Sequence, residues 1–282
     1  MRMVLIVAAV PLGNPADAST RLKDAISSAD LIAAEDSRRF HRLASDLHTT
    51  FTGRVVSFFE GNESEREAEL LRELENGKKV LLVSDAGMPT ISDPGFRLIR
   101  EAIARKVDVQ VLPGPSAVTM SIALSGLPTD RFTFEGFLPR TAGARTSALE
   151  ALRFEERTMV FFEAPHRLEE TLVEMVNIFG NDRRGAICRE MTKTYEETIR
   201  GSLEELVHWA RSHEVLGEIT LVISGVPAGS IEKTSDEIIA RVRDFEAAGM
   251  DRKEAIAEVA RELDLPKRLV YATVVEANKM SK

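Results

Sequence analysis

The chain has 282 residues, of which 44% are hydrophobic and 29% are charged, and its formal net charge is −8 at pH 7. This length is enough to bury the cores of two domains, and no apolar stretch approaches the roughly 20 residues of a membrane-spanning helix. An acidic chain lacks the basic surface on which non-specific nucleic-acid binding depends, although local patches can still bind a structured RNA.

The single cysteine, Cys188, excludes an internal disulfide network and fits a reducing cytoplasm, where we expect the protein to reside. Its position between Ile187 and Arg189 in a strand-like run favours a buried packing residue rather than a nucleophile. The five histidines show no metal-ligand spacing, so we expect no metal site. The N-terminal residues lack the length and the cleavage pattern of a signal peptide.

The first half of the sequence alternates short apolar runs with amphipathic helical patterns. The apolar runs predict strands at 3–9, 31–34, 54–58, 80–83 and 107–112. Asn62 is expected to cap the third helix, which Gly77 would end. This βαβα order predicts a parallel sheet that is covered on both faces.

A break at Pro113-Gly114-Pro115 places a domain boundary near residues 113–117. Strand-like runs follow at 132–137, 158–163, 185–190, 198–201 and 218–224, with a helix over 168–179, and their close spacing predicts hairpins in a mixed sheet. In the last fifty residues, 234–237 forms a capping box, Asp251 starts a second helix and Pro266 fits the first turn of a third.

The predicted fold class is therefore α/β, with two α/β domains. A parallel-sheet N-terminal domain spans 1–114 and a mixed-sheet second domain spans 115–227. A small helical extension at 228–282 completes the chain.

The common phosphate-binding and nucleophile motifs are absent from the sequence. No two of the 17 glycines stand two positions apart, which excludes GxGxxG, and neither GxxxxGK[ST] nor GxSxG occurs. Nucleotide hydrolysis, hydride transfer and serine hydrolysis therefore lose their best evidence.

A long loop at 84–95 follows the buried strand at 80–83, and its glycines and prolines prevent regular structure. The carboxyl end of a parallel strand is the usual place for a ligand, so we interpret this stretch as a binding loop rather than an ordinary connection.

Polar residues also follow the other predicted strands, at 11–14, 35–39, 60–62, 113–116, 163–167 and 189–193. Each cluster has an ordinary alternative: Glu35 and Asp36 could be helix N-cap acids, and Arg167 could pair on a solvated helix face. Their recurrence favours one shared rim.

Together, these segments resemble the tetrapyrrole methylase (class III) superfamily of S-adenosylmethionine-dependent methyltransferases. The resemblance is carried by AVPLGN (9–14), AEDSRR (34–39), VSDAGMPTISDPG (83–95), LPGPSA (112–117), SGLPTDRFTFEGFLPR (125–140), FFEAPHRL (161–168), REMTKTYEE (189–197) and GEITLVISG (217–225). The motifs are similar to those of the branch that 2′-O-methylates a cytidine of 16S ribosomal RNA. One departure is Val10, where the family usually has Thr; this removes a hydroxyl from the first loop.

The resemblance implies that S-adenosylmethionine binds in a cleft between two domains, usually in a homodimer and without a metal. The donor-binding residues that it implies are Pro11, Asp85, Ala86, Gly87, Met88, Ser92, Asp93, Ser116, Ala117, Phe162, Met191 and Thr220. The implied reaction is an in-line attack of a ribose 2′-oxygen on the sulfonium methyl.

Several residues remain candidates for the base that removes the 2′-hydroxyl proton. They are Asp36, Asp85, Glu163 and His166, and we favour an acid of the Glu35-Asp36 loop or Asp85. Arg38, Arg39, Arg140 and Arg167 are better suited to hold RNA phosphates. We expect 140–145 to be a mobile loop, because it contains Gly143 and lacks an apolar pattern.

Three alternatives stay open. Tetrapyrrole C-methylation and diphthamide methylation share the fold, but the motifs EDSRR, FEGFLPR and REMTK argue against both. A non-catalytic ribosome-binding module with a degenerate cleft is the third, and Val10 is its only support. The net charge predicts one local basic patch and a substrate that is the assembled or partly assembled small ribosomal subunit, with no membrane partner.

Overall fold

The structure is a computed structural model that describes residues 3–227, 230–263 and 265–280. The chain divides into two compact units. The first contains Met1–Arg153 and Arg157–Ser224, and the second contains Phe154–Glu156 and Gly225–Lys282. The domain boundaries drawn after residues 114 and 227 stay predictions.

The first sheet has the predicted parallel α/β pattern. Its strands stand in the order β3-β2-β4-β1-β5, and every neighbouring pair is parallel. They are β1 (Val4–Ala8), β2 (Leu31–Ala34), β3 (Arg54–Ser57), β4 (Lys79–Val83) and β5 (Asp108–Leu112). In β1, Leu5 and Val7 join one apolar cluster while Ile6 and Ala8 join another, so the centre of the sheet is buried on both faces.

Four helices cover this sheet. They are α1 (Thr20–Ser28), α2 (Ser37–Asp46), α3 (Glu63–Glu75) and α4 (Phe96–Ala104). Asn62 occupies the N-cap position of α3, but its side chain accepts from the Phe59 N–H and donates to the Ser57 carbonyl instead. The predicted N-cap position is therefore confirmed, but Asn62 makes no side-chain capping hydrogen bond to the helix.

The second sheet is mixed, as predicted. Its order is β6-β7-β10-β8-β9, and only β6 and β7 run parallel. The strands are β6 (Phe132–Phe137), β7 (Thr158–Glu163), β8 (Arg184–Arg189), β9 (Glu197–Ser202) and β10 (Ile219–Ile223). Helix α5 (Ala117–Ser125) packs on one face through Val118 and Ile122, and it ends at the left-handed Gly126.

A β-bulge interrupts β6 beside β7. The register shifts between Phe134 and Gly136, and Gly136 has a φ of +67°. Side chains normally alternate between the faces of a strand, so the extra residue brings Phe134 and Phe137 to the same face. Both rings meet Phe162 edge-on, with centroids at 4.9 and 5.6 Å.

Three helices cover the other face of the second sheet: α6 (Ala142–Ala151), α7 (Leu168–Phe179) and α8 (Leu203–Ser212). Helix α6 shows that the predicted mobile loop at 140–145 is wrong. The helix lacked an apolar signal because one of its two buried side chains is Arg145, which is only 1% exposed and pairs with Glu170 and Glu174 of α7. Helix α8 has no counterpart among the predicted helices.

The second unit contains α9 (Ser230–Ala247), α10 (Arg252–Glu262) and α11 (Lys267–Met280), whose apolar residues form their own core. Asp251 caps α10 as predicted, by accepting from the N–H groups of Lys253 and Glu254. Because α9 begins at Ser230, the capping box predicted to open it at Thr234 is wrong, and the side chain of Thr234 lies outside the described residues. Pro266 directly precedes α11 instead of standing in its first turn.

The described residues contain neither a membrane-spanning helix nor a cluster of metal-binding side chains. None of the described helices combines the length and apolar character needed to cross a bilayer. Within the same residues, no group of three or more His, Cys, Asp or Glu is placed to hold a metal ion.

Candidate functional site

A cavity of about 430 Å³ lies where the predicted strand-end loops meet, and its size is typical of small-molecule sites. The loops after β2, β4, β5 and β7 contribute to it, together with Leu12 from the loop after β1 and the start of β10. Its lining residues are Leu12, Glu35, Arg39, 85–88, 91–93, Ser116, Ala117, Phe137, 162–165 and 217–220.

The start of β10 reaches the cavity because β10 is antiparallel to its neighbours. Ile219 pairs with Glu163 at the end of β7 and with Arg189 at the end of β8. The sheet therefore brings 217–220 to the same edge as the carboxyl ends of β7 and β8.

The binding loop predicted at 84–95 has an unusual backbone. It is joined to the loop after β1 by two hydrogen bonds between Val10 and Gly87, at 2.9 and 3.1 Å. Gly87 has a φ of +74°, while Thr90 and Ser92, which are not glycines, have φ of +77° and +64°. Such strain persists only where the surroundings fix it, and it concentrates at functional sites.

The structure explains why valine is tolerated at position 10, where the family usually has threonine. Its side chain is 1% exposed and belongs to the apolar cluster under the first sheet. The contact with Gly87 uses backbone atoms alone, so it does not require a hydroxyl at position 10.

Two acidic residues, Glu35 and Asp85, form a reciprocal pair that we call the Glu35–Asp85 clasp. Glu35 Oε2 accepts from the Asp85 backbone N–H, and Asp85 Oδ1 accepts from the Asp36 backbone N–H, both at 3.0 Å. Arg39 Nη1 lies 3.4 Å from Asp85 Oδ2. The clasp ties the ends of β2 and β4 together and leaves both carboxylates on the cavity wall.

Electrostatic conditions differ among the acids of the cavity. Burial raises the pKa of Glu35, and the nearby charge of Asp85 adds to the effect. Burial also raises the pKa of Asp93 to about 7, with a further contribution from the charge of Glu35. Both groups therefore hold a proton more readily than free carboxyls do.

Asp36 is placed differently from the two clasp acids. It is the N-cap of α2, and its Oδ1 accepts from the Arg38 backbone N–H at 2.8 Å. The Arg38 side-chain hydrogen bond lowers the Asp36 pKa to about 2, and Asp36 does not line the cavity. Its ordinary alternative, an N-cap acid, is what the structure shows.

Glu163 is almost fully buried, with its carboxylate already engaged. Oε1 accepts from the Ala164 N–H at 2.7 Å and Oε2 accepts from the Thr171 hydroxyl at 2.6 Å. Arg167 Nε lies 3.5 Å from Oε1, and Arg167 Nη2 donates to the carbonyls of Leu138 and Pro139. We call this arrangement the Glu163–Arg167 brace; it joins the loop after β7 to the loop after β6.

The remaining base and phosphate candidates differ in their exposure. His166 is exposed and does not line the cavity. Arg38 and Arg39 have side chains that are 90% and 63% exposed, and Arg39 lines the cavity. Arg140 is exposed, whereas the Arg167 side chain is only 14% exposed and points into the brace.

Most of the implied donor-binding residues line the cavity: Asp85, Ala86, Gly87, Met88, Ser92, Asp93, Ser116, Ala117, Phe162 and Thr220. Pro11 and Met191 are buried outside the lining. The loop that carries Met191 supports the wall indirectly, because Glu190 Oε1 accepts from the Glu218 N–H at 2.9 Å.

The cavity also contains residues that the sequence did not indicate, among them Phe137 and Glu218, whereas Leu12 and Ile91 lie in loops that it did indicate. Phe137 lies in a predicted strand, but the bulge that turns it toward Phe162 leaves no periodic signal. The sequence did indicate Glu35, through its position directly after a buried strand.

Comparison with known proteins gives a consistent relationship. Residues 4–207 match the family model described as Tetrapyrrole (Corrin/Porphyrin) Methylases. A Mycobacterium bovis protein named Ribosomal RNA small subunit methyltransferase I is 51% identical over 256 residues, which are 91% of this chain and 88% of that protein.

A shorter protein of the same name from Thermotoga maritima is 44% identical over 221 residues. These are 78% of this chain but 98% of the relative. Among solved structures, uroporphyrin-III C-methyl transferase from Thermus thermophilus, complexed with S-adenyl homocysteine, has a TM-score of 0.55 at 19% identity. The matched region covers 79% of this chain and 97% of the Thermus thermophilus chain. At this identity the likeness shows the fold alone.

Proposed function

The chain belongs to the tetrapyrrole (corrin/porphyrin) methylase family, and from this we propose that it is an S-adenosylmethionine-dependent methyltransferase of small-subunit ribosomal RNA. Within that activity, we propose that the acceptor is the ribose 2′-oxygen of a cytidine. The names of the relatives support the RNA substrate, because their identity extends over most of this chain.

One observation carries the chemical part of the proposal: the cavity wall is strongly acidic. Of the described residues that line it, five are acidic (Glu35, Asp85, Asp93, Glu163 and Glu218) and one, Arg39, is basic. S-adenosylmethionine carries its transferable methyl group on a positively charged sulfur, and carboxylates favour such a cation.

The residues present also fit the other parts of this donor. The loop at 85–88 and Ser116, Ala117 and Thr220 provide backbone and hydroxyl groups for a polar ligand. Phe162 and Met88 provide apolar surface for a flat ring. We propose that these residues hold the donor, while Pro11 and Met191 support them from outside the lining.

We propose that Glu35 is the base that accepts the proton of the 2′-hydroxyl. It lines the cavity, and its Oε2 is oriented by the Asp85 N–H. A base works best when its pKa approaches the working pH, and burial moves Glu35 in that direction. Asp36 is less suitable because its pKa is about 2, and Glu163 because both of its oxygens already accept hydrogen bonds.

Asp85 then has a positioning role. One of its oxygens accepts from the Asp36 N–H and the other faces Arg39, so it fixes the clasp that orients Glu35.

Labelled methyl transfer to 30S subunits, to protein-free 16S RNA and to a tetrapyrrole tests the proposal. We expect label in the 30S subunits, recovered after nuclease digestion as 2′-O-methylcytidine. Incorporation only into the tetrapyrrole would overturn the RNA assignment. If titration calorimetry detects no donor binding at millimolar concentration, every methyltransferase reading fails and the non-catalytic alternative gains support.

The setting of the reaction is also proposed. We propose that the protein acts in the cytoplasm, as a homodimer, on the wholly or partly assembled small subunit. Sedimentation equilibrium tests the dimer, and a comparison of initial rates on 30S subunits and on free 16S RNA tests the substrate form.

A further inference from the structure

Phe137 combines two properties that seldom occur together. It is 56% exposed, yet it lines the cavity. Phe132 at the other end of β6 is also 40% exposed, but it does not line the cavity. Single exposed apolar residues are common on protein surfaces, so the location of Phe137 rather than its exposure needs an explanation.

Three features fix the position of Phe137. The bulge at Gly136 turns it to the face of the sheet that carries Phe162. The two rings meet edge-on, with their centroids 5.6 Å apart. The next two carbonyls, of Leu138 and Pro139, accept from Arg167 Nη2 at 2.9 and 3.0 Å, so the Glu163–Arg167 brace holds the segment that follows. A bulge beside a cavity is a known means of redirecting a side chain.

Two exposed arginines are related to Phe137, one through the sequence and one through the cavity lining. Arg140 follows it by three residues and is exposed, and Arg39 lines the same cavity with a side chain that is 63% exposed. An exposed aromatic ring in the cavity lining, together with an exposed arginine in the same lining and another three residues along the chain, matches the chemistry of a nucleotide: a base can stack on the ring, and phosphates can pair with arginines.

We propose that Phe137 stacks against the base of the target nucleotide after that nucleotide has left its own stack, and that Arg140 contacts a neighbouring phosphate. This inference rests on the proposed function and assigns the nucleotide-recognition residues of the same site. Enzymes that act on a nucleotide inside a cavity take it out of the stack, and aromatic side chains commonly receive the unstacked base.

Steady-state kinetics with 30S subunits test the stacking role. Phe137→Leu keeps an apolar side chain but removes the ring, so we expect kcat/KM for the subunit to fall by about 5- to 150-fold. Phe137→Tyr and Phe137→Trp should restore most of it. The donor Kd should stay close to that of the wild type in all three variants, and Phe132→Leu is the matched control with unchanged kinetics.

A second measurement reports stacking without methyl transfer. The chain has one tryptophan, Trp209, so the double variant Phe137→Trp/Trp209→Phe carries a single indole at the cavity. We expect 30S subunits to quench its fluorescence more than 50S subunits do. Arg140→Ala should raise the 30S concentration needed for half-quenching and make binding less sensitive to salt.

The two proposals fail in different ways. If the wild type transfers no methyl group to RNA but the indole is quenched, the proposed function fails and the stacking surface stands. If the wild type methylates 30S subunits, but Phe137→Leu has normal kinetics or the indole is not quenched, the stacking inference is overturned. Equal loss of donor affinity and RNA activity in Phe137→Leu would also overturn it, since Phe137 would then serve the donor.

Discussion

The Glu35–Asp85 clasp gives two carboxylates of one cavity wall different environments. Asp85 accepts from a backbone N–H on one oxygen and has the Arg39 guanidinium near the other. Glu35 has one oxygen fixed by a backbone N–H, and its burial raises its pKa. Neighbouring acids in unlike environments are a common basis for dividing a holding role from a proton-accepting role.

The first prediction separates these roles at Glu35. In Glu35→Gln the amide oxygen can still accept from the Asp85 N–H, so the donor Kd should change little. The rate of methyl transfer should fall by about 10²–10⁴-fold, because a positioned base is lost. Single-turnover kinetics measure the rate, and calorimetry measures the Kd.

Asp36→Asn is the matched control for Glu35→Gln. Asparagine is also a good N-cap, so both stability and rate should stay near those of the wild type. A wild-type rate in Glu35→Gln would exclude Glu35 as the base. Loss of donor binding in that variant would instead assign Glu35 to the donor site.

The second prediction concerns Asp93, whose pKa is about 7. Because the donor is a cation, ionised Asp93 should favour its binding. Donor affinity should therefore weaken as the pH falls through about 7, where Asp93 becomes protonated. Calorimetry at several pH values measures this change. The Asp93→Asn variant should bind the donor with an affinity that does not change over this pH range and that equals the weaker affinity of the wild type at low pH.

Asp36 again provides the control, since with a pKa of about 2 it stays ionised over this range. Asp36→Asn should keep the full pH dependence. An Asp93→Asn variant with the wild-type slope would show that another group, including one on the donor, is responsible.

At the level of residues, the sequence could locate the site better than it could assign roles within it. Asp36, Glu163 and Asp85 all stand at or just after the end of a buried strand, and their sequence positions look equivalent. Their roles depend on partners distant in sequence: Asp85 meets the Asp36 N–H across 49 positions, while Glu163 meets Thr171 on the next helix. Such pairings follow from strand order, which a residue pattern does not contain.

Helix α6 shows how an element can depend on a buried charge. Arg145 is 1% exposed and forms ion pairs with Glu170 and Glu174 of α7. The Glu170 side chain is 64% exposed, so this group of charges reaches the surface. The two ion pairs join two helices that cover the second sheet.

The third prediction tests this pair. Removing one partner of a buried ion pair leaves the other charge poorly compensated, so Arg145→Met should lower the free energy of unfolding by about 2–4 kcal/mol. Urea denaturation measures the change. Adding Glu174→Gln to Arg145→Met should recover part of the loss, because it removes the remaining buried charge.

Arg211, which pairs with Glu169 at the surface, is the control. Arg211→Met should change the free energy of unfolding by less than about 1 kcal/mol, because both partners are well exposed. Equal effects at Arg145 and Arg211 would show that burial adds nothing to the α6–α7 pair.

The sequence best indicates the strands and helices whose apolar residues form a continuous run or recur at a regular spacing. The five strands of the first sheet follow from apolar runs, and the central run at 80–83 is buried on both faces. Helix α6 gave no such signal, because a charged residue fills one of its buried positions. The bulge in β6 was equally invisible, since Gly136 is compatible with both a strand and a turn.

On the scale of the whole molecule, the acidic net charge has a partial explanation in the cavity. Five acidic side chains line a site proposed for a cation, while the exposed Arg39 and Arg140 are proposed for the RNA. The two ligands thus require opposite charges at one location. A high net charge of either sign is therefore a poor guide to the partner of this protein, although it remains a guide to non-specific binding.

The last prediction concerns the second unit. Every residue that lines the cavity lies between positions 12 and 220. The three C-terminal helices have an apolar core of their own. The Thermotoga maritima relative is covered to 98% of its length by only 221 residues of this chain, so a protein with that name exists without a stretch of comparable length.

A chain that ends at Pro227 should therefore keep the first unit folded. We expect it to unfold cooperatively and to bind the donor with a Kd within about two-fold of the wild type, because it retains all the described lining residues. Loss of cooperative unfolding would show that the first unit needs the C-terminal helices. Normal donor binding with a raised KM for 30S subunits would assign those helices to the RNA substrate, which separates a role in recognition from one in folding.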